Sequence, residues 1–385
     1  MDYRLGLCNS YLIVDLDAIE KNIGLVRQQI GSQVAIMPVL KRNAYGMGDV
    51  VVAKFLLENC GIDCIGVAQV AEAVKMIDAG AVCDYLVIGG VPYHNLAAAV
   101  QYRLITPAYD AEYINLLEEA AAIQGQQARV QIKIETGLNR IGVRPGEDLA
   151  ALLDLIRHCP HVDIDGAFTH FSEAEASEKS YTLQQMHAFK LGLNQIAQAG
   201  ISLRQIHASN TPATVWLKDE DFTHVRPGGI IYGYDVNETP LNALGLSEAV
   251  TWRAFVTQVK QVYPGDSIGY GRAYRVQEEM SIATISVGYG DGYPRHLAAS
   301  GKAEMLIHGK RAKVLTPCMD QMMLDVTGLE VKPNDIVTLM GADGEGFISV
   351  LELQRQMGQT FMAVVGSIAD RVGHIYLRDG KQIDI

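Results

Sequence analysis

Short apolar runs rich in branched residues alternate with amphipathic stretches through roughly the first 240 residues of this 385-residue chain. Tyr11–Val14, Val34–Leu40, Cys64–Ala68, Tyr85–Ile88, Val130–Ile134 and Ile164–Thr169 have the composition of strands. Between them, Leu16–Ile30 places Leu16, Ile19, Ile23 and Val26 near the helical period, and Asp49–Cys60 and Val70–Ala79 read the same way. This alternation predicts βαβ units and a parallel sheet. The number of repeats and the total length favour a (β/α)8 TIM barrel over an open sheet.

After about Leu244 the texture changes. Ala254–Val262, Met280–Val287, Ala303–Ile307, Lys313–Leu315 and Ile336–Leu339 are short, β-branched and separated by Pro-Gly, Asp-Gly and His-Gly turns. One helix is expected over Val350–Met357. The pattern predicts a barrel over residues 9–244 and a second, mainly β domain over residues 245–385.

Composition narrows the function classes. Hydrophobic residues make up 49 % of the chain and charged residues 20 %, which fits a well-buried globular protein. A formal charge of −12 argues against nucleic-acid partners, which need clustered Lys and Arg. No apolar run approaches the roughly 18–20 residues that span a bilayer, and the first residues lack the plan of a signal peptide. Cys8, Cys60, Cys64, Cys83, Cys159 and Cys318 are scattered, and no second pair completes a zinc set with Cys60 and Cys64. Free thiols, no metal and a cytoplasmic location are expected.

In a barrel, chemistry collects where strands run into their following loops. Lys41-Arg-Asn-Ala-Tyr45-Gly-Met-Gly48 follows Leu40, and Glu135-Thr-Gly-Leu-Asn-Arg140 follows Ile134. His170 closes Ile164–Thr169, and His207-Ala-Ser-Asn210-Thr211 and Arg226-Pro-Gly-Gly229 come at similar spacing. Any one such cluster, taken alone, reads more readily as a polar loop. A lysine after an apolar strand is a salt-bridged surface group or the carrier of an aldehyde cofactor as a Schiff base. Asn210, Thr211, Gly228, Gly229 and the Tyr45 hydroxyl are donors of the kind a phosphate-bearing cofactor requires.

The order and wording of these clusters resemble the alanine racemase family. KRNAYGMG, KIETGLNRIG, FTHF, HASNT and RPGGIIYG follow one another in the family's order, and GYGRAYR, VGYGDGYPR and CMDQMMLDV continue it over roughly residues 9–376. The resemblance implies a fold-type III racemase that uses pyridoxal phosphate. Lys41 carries the cofactor as an imine and acts as base on the D face, while Tyr270 acts on the L face of the partner subunit's site. Arg226 meets the pyridine nitrogen, and Tyr45, Thr211 and the Gly228–Gly229 backbone hold the phosphate. Arg140 meets the cofactor's phenolic oxygen and the substrate carboxylate, and Met319 offers its N–H to that carboxylate from the partner. Asp320 supports Met319, Tyr289 walls the pocket, and Lys133 matches a position carbamylated in some members. His170, linked to Arg226, is the expected cationic support for a Tyr270 phenolate, since tyrosine's ordinary pKa near 10 is too high for a base at neutral pH. A homodimer with shared sites and a small amino-acid substrate follow from the resemblance.

Three positions depart from the family's pattern. Arg42 replaces a small residue, Met47 replaces a histidine, and Asp370 in GSIADRVGH replaces a tyrosine that walls the substrate pocket. Asp370 either widens the substrate range towards serine, lysine or ornithine, or pairs with Arg371 or another neighbour. A decarboxylase of the same fold type would place a carboxylate at the ring nitrogen, where Arg226 stands here. A non-catalytic cofactor carrier would lack the β domain and a counterpart of Tyr270.

Overall fold

The structure, a computed structural model, describes residues 7–234, 244–360 and 362–383. It opens with β1 (Ser10–Asp15) and the helix Leu16–Ile30. Eight parallel strands follow: β2 (Ala35–Ile36), β3 (Cys64–Val67), β4 (Asp84–Val87), β5 (Ile105–Ala108), β6 (Ala128–Lys133), β7 (Val162–Phe168), β8 (Gln205–His207) and β9 (His224–Val225). Strands β3 to β8 form one continuous sheet, and β2 pairs with β9. A bridge between Val39 and Gly66 joins that pair to β3, and the Thr223 N–H donates to the Ile206 carbonyl of β8. The ring is closed, as the alternating pattern predicts. The run expected over Val34–Leu40 keeps only Ala35–Ile36 as regular strand, because Pro38 has no N–H to give to a ladder.

The second domain contains β10 (Val250–Val262), β11 (Ser267–Ile268), β12 (Tyr274–Arg275), β13 (Met280–Ile285), β14 (Glu304–Ile307), β15 (Lys310–Pro317), β16 (Met322–Asp325), β17 (Ile336–Asp343), β18 (Gly346–Ile348), β19 (Gly373–Arg378) and β20 (Lys381–Gln382). The helix Val350–Met357 lies where the sequence puts it. One placement differs from expectation. β1 belongs not to the barrel but to this sheet, antiparallel to β10 and parallel to β19. The physical reason is its pattern: Ser10, Leu12 and Val14 are buried while the residues between them are half-buried. A parallel barrel strand is covered on both faces. Among the described residues, no helix is long and apolar enough to cross a membrane.

The two domains meet at well-defined polar contacts. Asn22 Nδ2 donates to the carbonyls of Ile231 and Ser247, and its Oδ1 accepts from the Ser247 N–H. Next to this junction, Glu248 Oε2 accepts from the Val350 N–H at 3.3 Å. Burial pushes the Glu248 carboxyl up to about 7, against that single N–H. The folded protein therefore prefers Glu248 protonated. Its contribution is intact below the unfolded value near 4.3 and is lost as pH rises through about 7. Glu248→Gln keeps the acceptor without the charge. It is expected to stabilise the chain at pH 8 by roughly 3 kcal/mol and by nothing measurable at pH 4, read by urea unfolding.

Candidate active site

Lys41 stands at the C-terminal end of the β2 run, and the next four residues form an unusual backbone. Arg42, Asn43, Ala44 and Tyr45 all have left-handed φ values, between 53° and 57°. Each such non-glycine residue costs roughly 1–2 kcal/mol, so the turn persists only because its surroundings fix it. The Arg42 N–H donates to Glu72 Oε1 at 2.7 Å, and Arg42 Nε donates to the Gly366 carbonyl at 2.9 Å. Asn43 Oδ1 accepts from the Asp49 N–H, and Asp49 pairs with Lys75 at 2.7 Å. At Gly48 (φ 89°), a Cβ would lie 1.9 Å from the Tyr376 hydroxyl, which itself donates to the Met47 carbonyl. Burial, then the Arg140 guanidinium, hold the Lys41 amine below the ordinary lysine range, with Glu72 opposing.

Lys41, Lys133, Arg140 and Arg226 all bear on His170. Lys133 ends β6, with its ammonium 5.1 Å from the centre of the Phe168 ring. Burial and Arg226 push the Lys133 amine down to about 7. Arg226 is 3 % exposed and makes a dense set of bonds. Its Nη2 donates to the carbonyls of Thr169 at 2.7 Å and Ala208 at 2.9 Å, and its Nη1 meets His207 Nδ1 at 2.6 Å. None of these bonds uses Nε. Burial lowers the Arg226 guanidinium to about 9, with Arg140 adding to the shift, so it keeps its charge at neutral pH. His170 Nδ1 lies 3.4 Å from Arg226 Nη2. Burial, then Arg226, Lys133, Arg140 and Lys41, drive His170 well below the ordinary histidine range. His170 is therefore neutral, and the positive charge beside it comes from Arg226.

Small residues, hydroxyls and backbone amides gather at the ends of β8 and β9. The Gly228 N–H donates to Thr211 Oγ1 at 2.9 Å, which leaves the hydroxyl proton of Thr211 for an acceptor. A Cβ on Gly228 would stand 2.4 Å from the Tyr45 hydroxyl, so only glycine fits there. Asn210 caps the helix Thr211–Trp216 by accepting from the Ala213 N–H, a structural task. The short turn Gly229–Tyr232 follows directly, and its first N–H groups have no partner within the turn. Small residues, hydroxyls, amides and a buried guanidinium, beside an amine shifted towards its free base, fit a phosphate-bearing aldehyde cofactor.

Arg140 is carried on a loop built from its own side chains. Glu135 Oε1 accepts from the Gly137 N–H at 2.5 Å. Burial raises the Glu135 carboxyl, but the N–H groups of Asn139 and Gly137 and the Lys133 charge outweigh it and hold it low. From helix Ser180–Gln198, the Tyr181 hydroxyl donates to the Gly137 carbonyl and Gln185 Nε2 reaches Thr136 Oγ1.

The second domain presents the remaining residues differently. Tyr270 lies in the turn between β11 and β12 and is 83 % exposed; Met319 is 55 % exposed. Among the described residues, no hydrogen bond or ring contact joins either to the Lys41 cluster. Tyr289 is half-buried under the Arg295 guanidinium, 5.4 Å from its ring centre. Asp320 Oδ1 accepts from Arg371 Nη2 at 2.8 Å, while Arg371 Nε donates to Asp291 Oδ1 at 2.7 Å. The Met319 carbonyl accepts from the Gly290 N–H at 2.8 Å, so one arginine ties together the loops of Tyr289, Met319 and Asp370. Asp370 itself is exposed and has no ion pair among the described residues. The expected pairing of Asp370 with Arg371 does not form, because Asp291 and Asp320 occupy that guanidinium.

Several contributors escape a reading of motifs. Glu72, which fixes Arg42 and faces Lys41, was detectable only as the fourth residue of a capping box opened by Gln69. Arg371 and Asp291 gave no local signal. The departures at Arg42 and Met47 are met from the second domain: Gly366 accepts from Arg42, and His374 Nε2 lies 2.7 Å from the Gly46 carbonyl.

A closed barrel with a lysine and buried cations at its strand ends, joined to a β domain, defines a two-domain barrel enzyme. Residues 14–236 match the family model of the alanine racemase N-terminal domain and residues 249–376 that of the C-terminal domain. The chain belongs to the alanine racemase family. It is 35 % identical to an alanine racemase of Methanococcus maripaludis over 94 % of this chain and 97 % of that one. The crystal structure of a Bacillus anthracis alanine racemase with bound L-Ala-P superposes with a TM-score of 0.91 at 31 % identity, covering 98 % of this chain and 97 % of that one. A histidine racemase from Leuconostoc mesenteroides is also similar, with a TM-score of 0.87 and 25 % identity over 96 % and 98 % of the two chains.

Proposed function

We propose that the chain is a cytoplasmic, pyridoxal-phosphate-dependent alanine racemase working as a homodimer with shared sites. The observation that carries this reading is the convergence of Lys41, Lys133, Arg140, His170 and Arg226 beside the Tyr45–Thr211–Gly228 cradle. When bound, the cofactor supplies an electron sink that acidifies the substrate Cα–H. Lys41, already shifted towards its free base, takes or returns the proton on one face. One lysine cannot reach both faces, and Tyr270 of a second copy serves the other. Its exposure in the single chain, with that of Met319, supports completion by a partner. Arg226 would face the ring nitrogen as a donor and leave it unprotonated, because a guanidinium yields its proton to pyridine only at great cost. Arg140 orients the substrate carboxylate. The Lys133 amine, at about 7, is nucleophilic enough at neutral pH to take up CO2 as a carbamate with loss of a proton, which would place a negative charge beside Arg140. Six free thiols suit a reducing compartment.

The uncommitted Asp370 carboxylate favours a second reading of the substrate range, in which polar or basic side chains are also accepted. A chiral product assay with L-Ala, L-Ser, L-Lys and L-Orn tests both readings. Alanine turnover is expected, and Asp370→Tyr is expected to shift kcat/KM towards alanine by roughly tenfold, a typical pocket-contact effect. An alanine preference unchanged in Asp370→Tyr removes the broader range; no turnover of alanine by the wild type removes alanine as substrate.

A further inference from the structure

The barrel interior holds more polar side chains than the proposed chemistry uses. Alternate residues share a face of a strand, and on β6 one face carries Arg129, Gln131 and Lys133, while on β8 one face carries Gln205 and His207. Barrel interiors are ordinarily filled by branched apolar residues. Gln131, Asp165 and His207 are each 0 % exposed, so each needs hydrogen-bond partners inside the protein.

Those partners form one continuous chain of bonds. Arg226 Nη1 lies 2.6 Å from His207 Nδ1, and a guanidinium can only donate, so the single proton of neutral His207 sits on Nε2. That Nε2–H donates to Gln131 Oε1 at 2.9 Å. The carbonyl end of Gln131 being used, its amide nitrogen turns to Gln205 Oε1 at 2.8 Å and Asp165 Oδ2 at 3.4 Å. Asp165 Oδ1 accepts from Arg129 at 2.9 Å and Arg204 at 2.6 Å, and Arg129 also grips Asp84. Every donor from Arg226 onward points towards the Asp165 carboxylate. A His207 proton on Nδ1 would oppose Arg226 and reverse Gln131, setting its carbonyl against Asp165. Burial, then Arg226, His224 and Lys133, keep His207 neutral. The chain of bonds starts at the cofactor end of the barrel and finishes at the opposite face. There Arg129, Asp163 and Arg204 line an open groove of about 650 Å³.

We propose that Gln131 and Asp165 are positioning residues, whose one-way bonds lock His207 as the Nε2–H tautomer and thereby fix the orientation of the Arg226 guanidinium. The proposal rests on the racemase reading for its kinetic consequence alone. The full-length chain is labelled with 15N-histidine and its imidazole spectra are recorded with and without added pyridoxal phosphate, His207 being assigned with His207→Gln. The wild type is expected to show a single Nε2–H tautomer across the neutral pH range. Gln131→Met severs the chain but leaves Asp165 paired with both arginines. It removes the acceptor of the His207 Nε2–H, and is expected to shift the His207 ring-nitrogen signals as the ring loosens and to lower kcat roughly 3- to 30-fold with little change in KM. A folded Gln131→Met with an unchanged His207 spectrum and kcat overturns the proposal. Should that variant not fold, Asp165→Asn is read by the same two signals, and no change there overturns it equally. A locked His207 in a wild type that racemises nothing sinks the racemase reading while supporting the relay.

Discussion

Lys41→Ala is expected to lose racemase activity by on the order of 10³-fold or more while keeping its fold. The size follows from the two tasks proposed for one amine, anchoring the cofactor and moving the proton on one face. Neither task passes easily to a neighbour. Lys133 is packed against Phe168, and the Arg226 guanidinium keeps its proton at neutral pH. Stability should not fall, because the amine is partly buried near the like charge of Arg140, and alanine removes that repulsion. D-Alanine formation and the thermal midpoint are the two measurements. A variant with unchanged activity means that the cofactor is held elsewhere; a variant that loses activity only by unfolding gives Lys41 a structural role.

Tyr270→Phe should be as inactive in racemisation, and mixing it with Lys41→Ala should restore activity. Tyr270 is 83 % exposed and touches nothing in its own Lys41 cluster, so the substitution costs the isolated chain almost nothing in packing. If each site combines Lys41 of one copy with Tyr270 of the other, a heterodimer of the two variants has one intact site and one doubly defective site. Random exchange in an equal mixture then places about a quarter of all sites in the intact state. Activity near a quarter of wild type is the expected result. No recovery, with subunit exchange demonstrated by native mass, contradicts the shared site.

The barrel was legible because Leu16–Ile30, Asp49–Cys60 and Val70–Ala79 carry helical periods between apolar strands. β1 misled for a reason the sequence also contains. Its alternating burial suits a sheet with one covered face, but a short apolar run beside other apolar runs hides the difference. The order of strand-end clusters exposed Lys41, Lys133, Arg140, His170 and Arg226. It could not expose the Arg371 clasp, whose partners lie 80 and 51 residues away along the chain. Nor could propensity predict left-handed backbone at Arg42–Tyr45, which contacts from Glu72 and Gly366 hold in place. The polar column was readable in principle. Arg129, Gln131 and Lys133 recur at every second position of a strand that should be apolar on both faces.

The central claim is that Lys41 and Tyr270 exchange the Cα proton of alanine and return the amino acid intact. It is tested most directly by incubating L-alanine with the chain and pyridoxal phosphate in heavy water, followed by chiral separation and mass measurement of each enantiomer. An equal mixture of L- and D-alanine is expected, with deuterium at Cα in the D product and total alanine unchanged. Alanine that stays L without Cα deuterium, or that disappears with release of CO2, would contradict it.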